Sequence, residues 1–171
     1  MTPEQRAAQI RLVALDVDGV LTDGRLYYGP QGEALKVFDV RDGHGIKMLL
    51  THGVEVAILS ARSSEIVATR ARELGIRRAL QGRSDKAAAW RELLAETGIA
   101  AEHAGFIGDD LPDLPVLAQA GLAATVADAR DEVKSVAHWI APQPGGRGAV
   151  RALAEFILRA KDIPFAELTR G

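Results

Sequence analysis

The 171-residue chain contains no cysteine. Disulfides and thiolate metal sites are therefore excluded, in keeping with a reducing compartment. A formal charge of only -2 leaves no basic field, so a nucleic-acid role has no electrostatic footprint. No apolar run approaches the roughly 18 residues that a membrane span requires. The segment Met1 to Arg11 is polar with alanines and lacks the apolar centre of a signal peptide. No repeat, low-complexity segment or linker interrupts the sequence. With 47% hydrophobic and 26% charged residues, the composition is that of a globular protein able to bury a core. The expectation is one cytoplasmic domain spanning 1–171, with Met1–Arg11 as a lead-in helix or loose end.

Short apolar runs alternate with helical patterns. Leu12–Val17, Val54–Leu59, Ala104–Ile107 and Leu122–Val126 read as strands, with Ile76–Leu80 a weaker one. Ile66, Val67, Ala71 and Leu74 share one helical face, ended by Gly75. Ala87, Trp90, Leu93 and Leu94 share another, ended by Gly98. Val150, Leu153, Ala154, Ile157 and Leu158 mark a final amphipathic helix. Alternation of this kind predicts an α/β fold, a doubly wound parallel sheet with helices on both faces. Between Asp18 and Asp42 the pattern changes. Leu26–Tyr28 and Glu33–Phe38 flank Gly29-Pro30-Gln31-Gly32, which predicts a β-hairpin over about 24–40, beside the end of the first strand.

In open α/β sheets, ligands bind beyond the carboxyl ends of the strands. Four polar signals fall at such ends or at the next helix start. They are Asp16-Val17-Asp18-Gly19, Ser60, Lys86, and Gly108-Asp109-Asp110-Leu111-Pro112-Asp113. A carboxylate ending an apolar strand is costly to bury unless it is paired or bound to metal. Residues two apart in an extended segment point the same way, so Asp16 and Asp18 can share a pocket. One then serves as nucleophile while the other handles protons. The bland alternative is a solvated turn. For Asp109, Asp110 and Asp113 the alternative is helix capping, although three carboxylates in five residues exceed what a cap needs. With Asp16 they form an oxygen-rich site suited to Mg²⁺, and without a cation so acidic a site would repel a phosphate. Lys86 lies just inside a helix that Ser84 is expected to cap. A lysine there is disfavoured by the helix dipole unless something else holds it, and it can grip phosphate as a point charge. Ser60, with neighbouring backbone N–H groups, offers donors to phosphate oxygens. Ser63 or Ser64 is the better cap for the following helix.

These motifs resemble those of the haloacid dehalogenase superfamily, in order, over Leu12 to Asp113. The resemblance implies that Asp16 is the nucleophile and a Mg²⁺ ligand. Asp18 becomes the acid/base and lends its backbone carbonyl to the metal. Asp109 becomes the third protein ligand, while Asp110 and Asp113 support the metal shell. Ser60 and Ala61 with Lys86 would hold the phosphoryl group. Over nearly the whole chain, Val40-Arg41-Asp42-Gly43-His44-Gly45-Ile46, Gly82-Arg83-Ser84-Asp85-Lys86 and Gly145-Gly146-Arg147-Gly148-Ala149-Val150-Arg151 are similar to a capless family. These are the phosphatases of 3-deoxy-D-manno-octulosonate 8-phosphate, a precursor in lipopolysaccharide biosynthesis. That family implies a sugar-acid phosphate as substrate and a homotetramer as assembly, with the hairpin and the tail after Lys161 closing the open site; the C-terminal helix and tail together span about 148–171. Arg62 is the leading candidate for the substrate carboxylate or phosphate, since its planar fork suits either. Arg41 and Arg147 are secondary candidates whose alternative role is pinning loops. His44 has no second histidine at ligand spacing. Three competing readings remain: a phosphatase for a nine-carbon sialic-acid-like sugar phosphate, a non-catalytic tetramerisation module, and a phospho-receiver domain.

Overall fold

The computed structural model describes residues 1–168. Six short parallel strands form the sheet, and the four inner ones are buried along most of their length, as expected when helices cover both faces. In chain order, helix α1 (Pro3–Ala8) leads into β1 (Leu12–Leu15). The hairpin strands β2 (Tyr27–Gly29) and β3 (Gly32–Leu35) come next, followed by α2 (Val40–Thr51) and β4 (Glu55–Leu59). Then come α3 (Glu65–Leu74), β5 (Arg78–Leu80), α4 (Lys86–Thr97) and β6 (Ala104–Ile107). The chain finishes with α5 (Leu114–Leu117), β7 (Leu122–Thr125), α6 (Asp131–Val136), β8 (Trp139–Ile140), α7 (Ala149–Ala160) and α8 (Phe165–Leu168).

The strand order is β5-β4-β1-β6-β7-β8. Connections run outward one way from β1 through β4 to β5, then return to β6 and run outward the other way. The order therefore reverses between β1 and β6, whose registers match Leu15 with Ile107. That reversal opens a crevice beyond the ends of these two central strands. Helices α1 and α2 each pack against α7, while α5 packs against both α4 and α6 in a separate helix group. Fully buried Trp90 on α4 meets Phe106 on β6 edge to face, with centroids 6.2 Å apart, an arrangement favoured by the ring quadrupoles.

Several boundaries depart from the sequence reading. The first strand ends at Leu15, not Val17. Beyond it Val17 accepts from the N–H groups of Val20, Leu21 and Thr22, so the chain turns at the Asp16–Asp18 pair instead of extending through it. Asp85, not Ser84, caps α4: its carboxylate accepts from Ala88 N at 2.9 Å. Ser64 occupies the N-cap of α3 without a capping bond and donates its hydroxyl to Glu33 on the hairpin instead, at 2.5 Å. Helix α2 contains two glycines and a mixed pattern that hid its period, and two-residue β8 is too short to announce itself. The tail expected after Lys161 includes α8, and residues 169–171 lie outside the described residues. Among the described residues no helix is long and apolar enough to cross a membrane.

Candidate active site

The crevice beyond β1 and β6 gathers most of the residues singled out above. Asp16 follows β1 directly and its N–H donates to Ile107 O at 3.0 Å, extending the ladder by one bond. This fixes a nearly buried carboxylate at the strand end. The turn that follows needs Gly19, which has φ +95° and lies so close to Asp109 that a Cβ would fall 2.1 Å from its carboxylate. On β6 the corresponding turn carries Asp109 and Asp110. Asp110 caps a short 3₁₀ turn, accepting from Leu111 N at 2.8 Å, so one acid of this cluster does serve as a cap.

Lys86 stands at the first turn of α4 with little of its surface exposed. Its ammonium lies 2.8 Å from Asp16 and 2.6 Å from Asp113, which accounts for a lysine where the helix dipole disfavours one. Burial pulls its pKa down, but the two carboxylates outweigh burial and hold it above lysine's ordinary value. The other oxygen of Asp113 accepts from Asp109 N at 2.9 Å and Asp110 N at 3.2 Å. Both Asp113 oxygens are thus occupied in bracing the cluster. Ser60, buried at the end of β4, accepts from Arg62 N at 3.4 Å.

One lysine does not neutralise these acids. Burial, with the charge of Asp113, raises Asp16 to a pKa of about 6 against the opposing pull of Lys86. Burial and the charges of Asp16, Asp113 and Asp110 raise Asp109 to about 8. Carboxylate oxygens of Asp16, Asp109 and Asp113 all lie within 4.8 Å of one another. Mg²⁺ takes oxygen ligands at about 2.1 Å, so opposed ligands sit about 4.2 Å apart. Both the spacing and the uncompensated charge fit a hard divalent cation.

The other candidates divide. Asp16, Asp18, Ser60, Ala61, Arg62, Lys86, Asp109, Asp110 and Asp113 line one cavity of about 350 Å³. Arg41 and Arg147 do not join them. They line a neighbouring recess of about 390 Å³ with Asp39 and Asp23, where Arg41 is bound to Asp39 at 2.6 Å and donates to Arg147 O at 3.2 Å. A larger recess of about 570 Å³ elsewhere, lined by Leu50, Gly53, Glu55, Arg77 and Arg78, has no cluster of acids, and its Arg78 is spent on Glu55 and Glu96.

Sequence reasoning missed the hairpin's polar contribution. The Asp18 carboxylate is held by Lys36, from the end of β3, at 2.5 Å and lies 3.6 Å from Arg62. Lys36 also pairs with Glu33 at 2.9 Å, and its side chain is only 2% exposed. Arg62 donates to Tyr28 Oη at 3.2 Å. The available signal was a charged pair, Glu33 and Lys36, in the otherwise apolar run Glu33–Phe38.

A family model for haloacid dehalogenase-like hydrolases matches residues 79–153, the segment holding Lys86 and the Asp109–Asp113 cluster. The 3-deoxy-D-manno-octulosonate 8-phosphate phosphatase of Yersinia pestis is 50% identical over 158 residues, covering 92% of this chain and 84% of that protein. The chain belongs to this phosphatase family of haloacid dehalogenase-like hydrolases. Its fold agrees: the crystal structure of the Yersinia pestis enzyme superposes with a TM-score of 0.91, covering 93% of this chain and 86% of that one. The Moraxella catarrhalis phosphatase, crystallised with magnesium, phosphate and 3-deoxy-D-manno-octulosonate (KDO), is 41% identical with a TM-score of 0.91, covering 94% and 92%. The family assignment also disposes of the phospho-receiver reading, whose acceptor aspartate belongs where Ser60 stands.

Proposed function

We infer that this chain is a Mg²⁺-dependent phosphatase that hydrolyses 3-deoxy-D-manno-octulosonate 8-phosphate to KDO and phosphate, a step in supplying lipopolysaccharide precursors. The observation that carries this reading is the convergence of Asp16, Lys86, Asp109 and Asp113 at the sheet's switch point, in a chain half identical to such an enzyme. The relatives' names supply the sugar acid.

Asp16 is the nucleophile. Its carboxylate oxygen attacks phosphorus in line, the ester P–O bond breaks, and Asp18 delivers a proton to the departing alkoxide. Asp18, now ionised, then takes a proton from the water that attacks the aspartyl-phosphate, and Asp16 is released with inorganic phosphate. The Lys86 ammonium has three N–H donors. Two serve Asp16 and Asp113, and the third is left for a phosphoryl oxygen. The Ser60 hydroxyl and the N–H of Ala61 bind the remaining oxygens. Asp16, Asp109 and the backbone carbonyl of Asp18 would hold Mg²⁺, with Asp113 and Asp110 bracing them. When bound, the ion supplies the positive charge that lets a dianionic phosphate approach these carboxylates. Positioning and electrostatics of this kind carry most of phosphoryl-transfer catalysis.

Arg62, already in the cavity, is the proposed partner of the substrate carboxylate. Arg41 and Arg147 reach substrate only if it extends into the neighbouring recess. The enzyme is also proposed to be a single capless cytoplasmic domain working as a homotetramer, with the hairpin closing the site. In favour of this, only the hairpin and α2 separate β1 from β4, and the hairpin region leaves Tyr28, Leu35 and Val37 exposed.

The test is phosphate release from eight-carbon and nine-carbon sugar-acid phosphates, with and without Mg²⁺. The eight-carbon ester should show the higher kcat/KM, and chelation should abolish turnover. Asp16→Asn should lower kcat by at least about four orders of magnitude, as loss of a covalent nucleophile does. Preference for the nine-carbon ester would reassign the substrate. No turnover of any phosphate ester would favour a tetramerisation module.

A further inference from the structure

The active-site chemistry leaves one buried cation unexplained. Lys36 comes from the hairpin, not from the sheet, yet its ammonium lies 2.5 Å from Asp18 and its side chain is 2% exposed. A buried lysine is held only where partners repay its desolvation. Here the second partner is Glu33, 2.9 Å away, which is itself tied to Ser64 Oγ at the start of α3. Glu33 therefore keeps the ammonium in place whether or not Asp18 carries a proton. The chain of contacts runs from α3 through Ser64, Glu33 and Lys36 to the Asp18 carboxylate. Asp18 sits in a turn and is partly exposed, and among the described residues its only other ion-pair partner is Arg62, at the longer distance of 3.6 Å.

We propose that Lys36 is a positioning residue which aims the Asp18 carboxyl group at the leaving oxygen, so that proton delivery depends on the hairpin being docked. This rests on the phosphatase reading above. In the step concerned, the bond from Asp16 to phosphorus forms, the ester P–O bond breaks, and the Asp18 proton passes to the alkoxide, leaving neutral alcohol and an ionised Asp18. Misaligning Asp18 penalises esters in proportion to how badly their leaving group needs that proton. An alkyl alcohol needs it greatly, whereas a nitrophenol departs as its anion.

The experiment measures kcat/KM, which reports steps up to departure of the alcohol, for simple phosphate esters graded in leaving-group acidity from glycerol phosphate to 4-nitrophenyl phosphate. None contains the sugar acid, so contacts to the sugar cannot mimic the effect. In Lys36→Met, kcat/KM should fall about tenfold or more for the alkyl esters and less than about threefold for the nitrophenyl ester, within the range that general acid catalysis commands. The plot against leaving-group pKa thus becomes steeper. Lys36→Gln, which keeps a donor of similar reach, should fall between, and it carries the test if Lys36→Met does not fold. An equal loss for every ester would mean that Lys36 grips the phosphoryl group or merely supports the fold. An unchanged slope likewise overturns the proposal. If the wild-type protein, with Asp16→Asn as its blank, turns over none of these esters or the sugar-acid phosphates, it is the phosphatase reading that fails instead.

Discussion

Lys86 illustrates how one side chain can serve both fold and site. It lies between Asp16 and Asp113, each within 2.8 Å, in a place where either carboxylate alone would be expensive to bury. Removing one member of such a buried set leaves the others uncompensated, typically at a cost of about 3–5 kcal/mol. Lys86→Met should therefore lower the metal-free unfolding free energy by about that amount in urea titrations, and Mg²⁺ should recover part of it. Asp109 is the opposite case, a carboxylate with too little compensation. Its folded pKa of about 8 stands above the ordinary 3.8. The folded state thus holds this proton more tightly than the unfolded chain. Its contribution to stability is complete below about pH 4 and is lost as pH rises through about 8. Asp109→Asn has no proton to lose. Without divalent cations the variant should gain in melting temperature relative to wild type as pH rises from 4 to 8. Millimolar Mg²⁺ should reverse the order at pH 8 by stabilising only the wild type. A difference that does not change with pH would contradict the assigned role.

At the level of elements, the loop before α7 decides how well the nucleophile's turn is placed. Gly145 packs so tightly on that turn that a Cβ would lie 1.7 Å from Gly19 O, and Gly146 N donates to Val20 O at 2.8 Å. Asp128 fixes the loop by accepting from Gly145 N at 2.9 Å, while Asp42 on α2 accepts from Gly148 N and Arg151 N. Gly145→Ala must push back the turn carrying Asp16 and Asp18. A displacement near 1 Å costs about a hundredfold in rate, and kcat/KM for the sugar-acid phosphate should fall by that order. This dependence explains what the sequence disclosed. The strands around the switch point were legible because burial on both faces leaves unbroken apolar runs, and α3, α4 and α7 because each has an apolar stripe. Asp16, Asp109 and Lys86 were legible because charges at the ends of such elements lack a structural reason to be there. Lys36 was not, since only the docked hairpin brings it to Asp18 across 18 positions. Nor was the division between Arg62 and the pair Arg41 and Arg147. Which cavity an arginine enters depends on loop geometry, and its residue type says nothing of that.

For the molecule as a whole, the hairpin poses a problem of stability that assembly would solve. Two strands alone are marginal in water, and β2 and β3 together contain seven residues with a register irregularity at Tyr27/Tyr28. Their ties to the sheet domain include polar contacts: Lys36 to Asp18, Glu33 to Ser64, and Tyr28 to Arg62. Several large apolar side chains face outward instead, with Tyr28 65% and Val37 55% exposed. Packing four hairpins together would bury that surface and hold Lys36 over each site at once, so association and catalysis should fail together. Sedimentation equilibrium of the wild type should give four times the chain mass. Val37→Asp puts a charge into the apolar surface at a residue that does not line the Asp16 cavity. It should lower the mass to that of one or two chains and reduce kcat/KM for alkyl esters more than for 4-nitrophenyl phosphate, because a loosened hairpin releases Asp18. A wild-type monomer with full activity would separate the two properties and leave the polar contacts alone to hold the hairpin in place.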